Sequence, residues 1–233
     1  MEYIRVYRMS GLHRVNHWLM FIAFITCAVT GFYIAHPFFV FETGEVVDSY
    51  FMGYVRLIHY LGAITLDIVL LVWIYLFFFG HTPYLKFIFP LKPRLKEAFQ
   101  MLKHYFTLDM KDRPVEISER MDALNAWGLF LFIIVFKALM LITGFAMLSP
   151  QINASNTAVI GGQYLFSGIG SIAYLIFGNL ANIRTAHHLM AWFMIFFVIL
   201  HIYIEVWREI FWKEGDISIV FSGCKYIRKN NKA

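Results

Sequence analysis

The sequence predicts an all-α integral membrane protein, a four-transmembrane-helix bundle with both termini cytoplasmic, and three observations carry that reading. Of 233 residues, 60% are hydrophobic and only 15% charged, and the mean hydropathy is +0.62. Such a balance describes a membrane chain rather than a soluble domain. The apolar residues also gather into long runs, and about 20 of them in a helix cross a hydrocarbon core ~30 Å thick. Four runs qualify, at approximately 15–35, 56–79, 125–148 and 184–207. Finally, 17 of the 20 Lys and Arg fall before the first run, between the second and third, or after the fourth. The positive-inside rule then makes 80–124 a cytoplasmic loop and 149–183 a periplasmic segment of a single membrane domain spanning 1–233.

Arg5, Arg8 and Arg14 precede the first run, but Phe32, Tyr33 and Ile34 stand where a signal peptide would need small residues. The run is therefore expected to remain as a span. The 80–124 connection is basic, which suits apposition to anionic lipid and leaves no reason to invoke nucleic acid. Asp67 in the second span and Lys137 in the third both fall near mid-bilayer, where a structural ion pair is the expected reading and a proton path the alternative. Residues 163–178, QYLFSGIGSIAYLIFG, are apolar but short and glycine-rich. A fifth crossing there would place the basic tail outside, so the segment is expected to be interfacial or re-entrant. Two cysteines, Cys27 and Cys224, are too few for a zinc or iron–sulfur site.

The fourth run carries a histidine near each end. His187 and His201 are 14 residues apart, a rotation of about 1400° and a rise of ~21 Å, so both face one side at opposite membrane edges. Ionisable residues at such positions mark function. Of the nine histidines, depth pairs His59 with His187 near the outer surface and His17 with His201 near the inner one. That pattern fits two stacked b-type haems, each with two axial imidazoles. No C-x-x-C-H occurs, so covalent c-type attachment is excluded. His188 competes with His187, but it points largely away from the His201 face. His13 competes with His17, from which it is one turn removed, but it lies closer to water. His36, His81 and His104 read as ordinary polar residues in loops or at span ends.

An arginine precedes a proposed ligand by three residues at Arg14–His17, Arg56–His59 and Arg184–His187. A guanidinium at that spacing could pair with a haem propionate; snorkelling to the interface is the plainer alternative. Gly31, 14 residues after His17, lies on the same stripe and would either leave room for a porphyrin or serve as a helix-packing contact. Glu205, four residues after His201, is either a proton relay or a solvated helix-end carboxylate.

RVNHW (14–18), FMGYVRLIHY (51–60), ITGFAM (142–147), AHHLMAW (186–192) and ILHIY (199–203) together resemble the cytochrome b subunit of membrane-bound nickel–iron hydrogenases. That family is similar in turn to the gamma subunit of formate dehydrogenases. The resemblance covers nearly the whole chain and implies haem ligands at His17, His59, His187 and His201. It also implies partners: a periplasmic iron–sulfur small subunit delivering electrons from a hydrogen-oxidising large subunit, and a quinone, menaquinone or ubiquinone, reduced near the cytoplasmic face. The setting would be the bacterial inner membrane. The formate dehydrogenase relatives suggest Asn125 as a quinone contact, with an Asn helix N-cap as the alternative. A formate dehydrogenase subunit is the nearest rival function. A haem-free anchor or transporter, whose histidines bind metal or protons, is a rival of another class.

Overall fold

The computed structural model describes residues 3–39, 50–80, 92–107, 123–155, 162–213 and 215–228. Four helices are long and apolar enough to cross a membrane: Gly11–Ala35, Phe51–Phe79, Ala123–Pro150 and Leu180–Phe211. They overlie the four expected spans and extend them by up to five residues at an end. The chain divides into two compact units, Met1–Pro83 with Arg208–Ala233, and Tyr84–Trp207.

In the first unit, helix α1 (Gly11–Ala35) starts at the N-cap Ser10, whose hydroxyl accepts from the His13 amide. Helix α2 (Phe51–Phe79) packs against it. The buried residues of α2 are Val55, Gly62, Val69 and Leu76, a strict seven-residue repeat. Such a stripe keeps one seam facing a neighbouring helix. Opposite it, Asn16 of α1 donates from Nδ2 to the Val69 carbonyl at 3.1 Å, wholly buried. At Gly62 an added Cβ would stand 2.8 Å from Cys27 Sγ, so the missing side chain is what lets the helices meet there.

The all-α expectation is departed from at the chain's ends. Strand β1 (Tyr3–Tyr7) pairs antiparallel with β2 (Cys224–Arg228), joining the segment before α1 to the segment at the end of the chain. Tyr, Ile and Val, residues that favour extended backbone, supply four of the five positions of β1 and two of the five in β2. Arg5 Nε donates to Cys224 Sγ at 3.1 Å, and this contact raises the guanidinium above its ordinary pKa. Lys225 of β2 and Asp216 form a buried ion pair at 2.5 Å.

In the second unit, helix α3 (Lys92–Thr107) lies within the connection read from sequence as a loop. It buries Ala98, Met101, His104 and Tyr105, which share one helical face, and leaves Lys96 and Lys103 exposed. His104 is therefore not the loop residue that was expected. Its ring meets the Trp207 indole edge-on at 5.6 Å.

The third spanning helix is composite: α4 (Ala123–Leu129), a π-helical stretch Phe130–Phe136, then α5 (Lys137–Ser155). The Lys137 amide reaches back five residues to the Phe132 carbonyl. Helix α6 (Gly162–Phe177) is the short apolar segment, 16 residues or ~24 Å long, below the ~30 Å of a full crossing. It packs on α5 where Gly170 approaches the Ala146 backbone, around a core of Ala146, Ala173 and Ile183. Helix α7 (Leu180–Phe211) is the long fourth span. A four-residue turn of helix, α8 (Ile219–Ser222), precedes β2.

Candidate functional site

The α1–α2 packing of the first unit fixes the levels of two histidines. His17 lies near the start of α1, half-buried, with its ring edge-on to Trp18 at 5.8 Å. His59, on α2, sits beside the far part of α1. Its Nδ1 is 2.9 Å from the Thr30 hydroxyl, and its Cε1 would be 3.2 Å from a Cβ on Gly31. Thr30 is 13 residues beyond His17, or ~20 Å along the helix. The two imidazoles therefore occupy opposite ends of one helix pair. Gly31, expected to leave room for a porphyrin, lies directly against the His59 ring.

The second unit repeats the arrangement. His187, near the start of α7, has Nδ1 2.8 Å from the hydroxyl of Thr143 on α5, and a Cβ on Gly144 would stand 3.7 Å from its Cε1. His201 lies 14 residues further along α7. Its ring is parallel to that of Phe197, with centroids 6.3 Å apart, and its Nδ1 is 3.9 Å from Glu205 Oε1. Phe197 itself packs on Phe132 of the π-helical stretch, against Gly128, where a Cβ would come within 2.7 Å. Again one histidine stands at each end.

The competing histidines are otherwise engaged. His13 is buried, and its Nδ1 lies 2.7 Å from the N-cap hydroxyl of Ser10. His188 faces Trp192 edge-on at 6.4 Å, whereas its neighbour His187 meets Thr143. Of the arginines, Arg56 and Arg184 are exposed, each one turn before its histidine. Arg14 donates from Nη1 to the Phe221 carbonyl of α8, so its guanidinium has a partner within the chain. Asn125 is the third residue of α4, inside the helix rather than at an N-cap. Asp67 lies on α2, and Lys137 opens α5. His36 is the exposed C-cap of α1, while His81 falls outside the described residues.

Sequence reasoning did not find Thr30, Thr143 or Asn16. A signal for the threonines was present: Thr-Gly-Phe occurs at 30–32 and again at 143–145, and Arg-x-x-His follows each on a later helix, at 56–59 and 184–187. This short repeat gains meaning once each threonine is seen against its histidine.

The donor set fits a haem held by histidine alone. Each unit offers imidazoles at two levels, Gly31 and Gly144 let the His59 and His187 rings come close, and Phe197 stacks on His201. Among the described residues no group of three or more His, Cys, Asp or Glu could hold a bare metal ion. These features suit a helical membrane protein of the b-type cytochrome class. Residues 8–223 match the family described as prokaryotic cytochrome b561, and the chain belongs to it. It is 27% identical to a protein of Azotobacter vinelandii named "Probable Ni/Fe-hydrogenase B-type cytochrome subunit", over 96% of this chain and 89% of that one. A Rhodobacter capsulatus protein of the same name is 28% identical, covering 94% and 80%. The Escherichia coli K12 "Probable Ni/Fe-hydrogenase 1 B-type cytochrome subunit" is 30% identical, covering 91% and 87%.

Proposed function

We propose that this chain is the di-haem b-type cytochrome subunit of a respiratory nickel–iron hydrogenase, passing electrons from a periplasmic iron–sulfur small subunit across the bacterial inner membrane to quinone. The observation that carries the reading is the paired placement of histidines at two levels in each unit, in a member of a b-type cytochrome family. His59 and His187 would hold the outer haem, and His17 and His201 the inner one. Bound haem supplies a one-electron carrier at each level. The polypeptide orients the imidazoles, through Thr30 at His59 and Thr143 at His187.

The relatives' names support the choice of hydrogenase over formate dehydrogenase as donor. Arg56 and Arg184, exposed one turn outside the outer ligands, suit propionate pairing. Arg14 would serve the inner haem only by sharing its guanidinium with the Phe221 carbonyl. Asn125, within α4, is the quinone candidate. Pairing of β1 with β2 supports an even number of crossings with both ends on one side, and the basic segments point to the cytoplasm.

Pyridine haemochrome assay of the purified protein tests this directly. Two haems per chain are expected, and fewer than one defeats the cytochrome reading. Reduction of the haems by hydrogen, and not by formate, in membranes is expected; the reverse would reassign the donor.

A further inference from the structure

We propose that Thr30 and Thr143 are positioning residues that hold His59 and His187 in the Nδ1–H tautomer, leaving each Nε2 lone pair as the iron ligand. The inference rests on the haem reading above and specifies how two of its ligands are set.

A threonine hydroxyl has one hydrogen to donate and lone pairs to accept with. Thr30 Oγ1 lies 2.6 Å from the Thr26 carbonyl, and Thr143 Oγ1 lies 2.7 Å from the Leu139 carbonyl, each one turn earlier in its own helix. These are short O–H···O distances, at the favourable end of the range for that bond. The hydroxyl proton is spent there. A carbonyl cannot donate, so the hydroxyl must be the donor in that contact. The remaining contacts, 2.9 Å to His59 Nδ1 and 2.8 Å to His187 Nδ1, therefore require the imidazole to donate. A neutral imidazole that donates from Nδ1 carries its lone pair on Nε2.

The construction occurs twice, on different helices and in different units, with the same atoms in the same roles. In both, the residue after the threonine is glycine, so no side chain presses on the ring from that side. Metal-bound histidines usually donate their second nitrogen to an acceptor, which fixes the ring and raises its basicity. Here the acceptor is a neutral hydroxyl, and it serves both outer ligands alike. His201 differs, having a carboxylate near Nδ1.

The test uses the full chain in its purified complex, with Thr30→Val and Thr143→Val compared with Thr→Ser at the same positions. Valine keeps the shape and removes the acceptor; serine keeps the acceptor. Each valine variant should raise the midpoint potential of one haem, since a less basic imidazole stabilises ferric iron less. It should also weaken that haem's retention roughly 10- to 100-fold, leave the other haem unmoved, and be rescued by serine. Wild-type potentials and full haem in both valine variants would overturn the proposal, as would serine behaving like valine. Should the valine variants fail to accumulate, nitrogen-15 spectra of the histidine-labelled wild-type protein decide: a proton on Nδ1 of both rings supports the proposal, and one on Nε2 of either overturns it. A wild-type protein without haem defeats the cytochrome reading instead, and the same spectra still judge the threonines.

Discussion

Gly62 is where the α1–α2 contact can be tested most sharply. In Gly62→Ala the new methyl would stand 2.8 Å from Cys27 Sγ, against an optimal separation of ~3.5–4.0 Å for nonbonded heavy atoms. The other two neighbours, Ala23 O and Thr26 Cγ2, are each at 3.5 Å and need not move. The strain therefore falls on one atom. Overpacking of this kind costs roughly 1–3 kcal/mol, which for a chain of this size corresponds to a fall of roughly 2–12 °C in Tm. Cys27 Sγ also lies 3.6 Å from the His59 carbonyl, so a displaced thiol disturbs the backbone of a proposed ligand. Cys27→Ala removes the obstructing atom. In that background Gly62→Ala should cost no more than about 0.5 kcal/mol, so the double-mutant cycle should show a coupling near the full clash energy. Thermal unfolding in detergent, followed by circular dichroism, gives all four values. A Gly62→Ala protein as stable as wild type, or equal costs with and without Cys27, would refute the close approach.

Two other outcomes follow from the same geometry. His59→Ala or His187→Ala should leave one haem per chain by pyridine haemochrome assay, and His17→Ala or His201→Ala should remove the other. His188→Ala should retain both, and its loss of haem alongside retention in His187→Ala would reverse the assignment. At the sheet, Lys225→Met leaves the buried Asp216 carboxylate without its cation and should cost about 3–5 kcal/mol, with a correspondingly lower Tm. Replacing both Asp216 and Lys225 by apolar residues should cost less than either alone.

The spans and their histidines were legible because both signals are local. A run of ~20 apolar residues needs no knowledge of its neighbours, and helical rotation alone places His187 and His201 on one face. The same arithmetic favoured His187 over His188, and the Thr143 contact distinguishes the same two residues. What stayed hidden depends on pairing between distant segments. β1 and β2 are five-residue strands more than 200 positions apart, and nothing in YIRVY names CKYIR as its partner. Asn16 carries no sequence signal of its own, because its partner, the Val69 carbonyl, lies on another helix. The π-helical stretch reads in sequence as unbroken helix, since Phe130–Phe136 is apolar throughout. Helix α3 is the exception, a miss that periodicity could have prevented, because Ala98, Met101 and Tyr105 already fall on one face.

The threonines show where local reading stops and packing takes over. Mid-helix threonines commonly bond the carbonyl four residues back, and taken singly Thr26, Thr30, Thr65 and Thr143 all do so. Among these, Thr30 and Thr143 meet a histidine from another helix. The back-bond that would be a minor helix irregularity elsewhere becomes, at these two positions, the means by which a hydroxyl is left able only to accept. Thr26 and Thr65 are internal controls for that distinction. Valine at either should leave both haem potentials unchanged, so a shift there as large as at Thr30 would mean that helix distortion, not imidazole orientation, sets the potential.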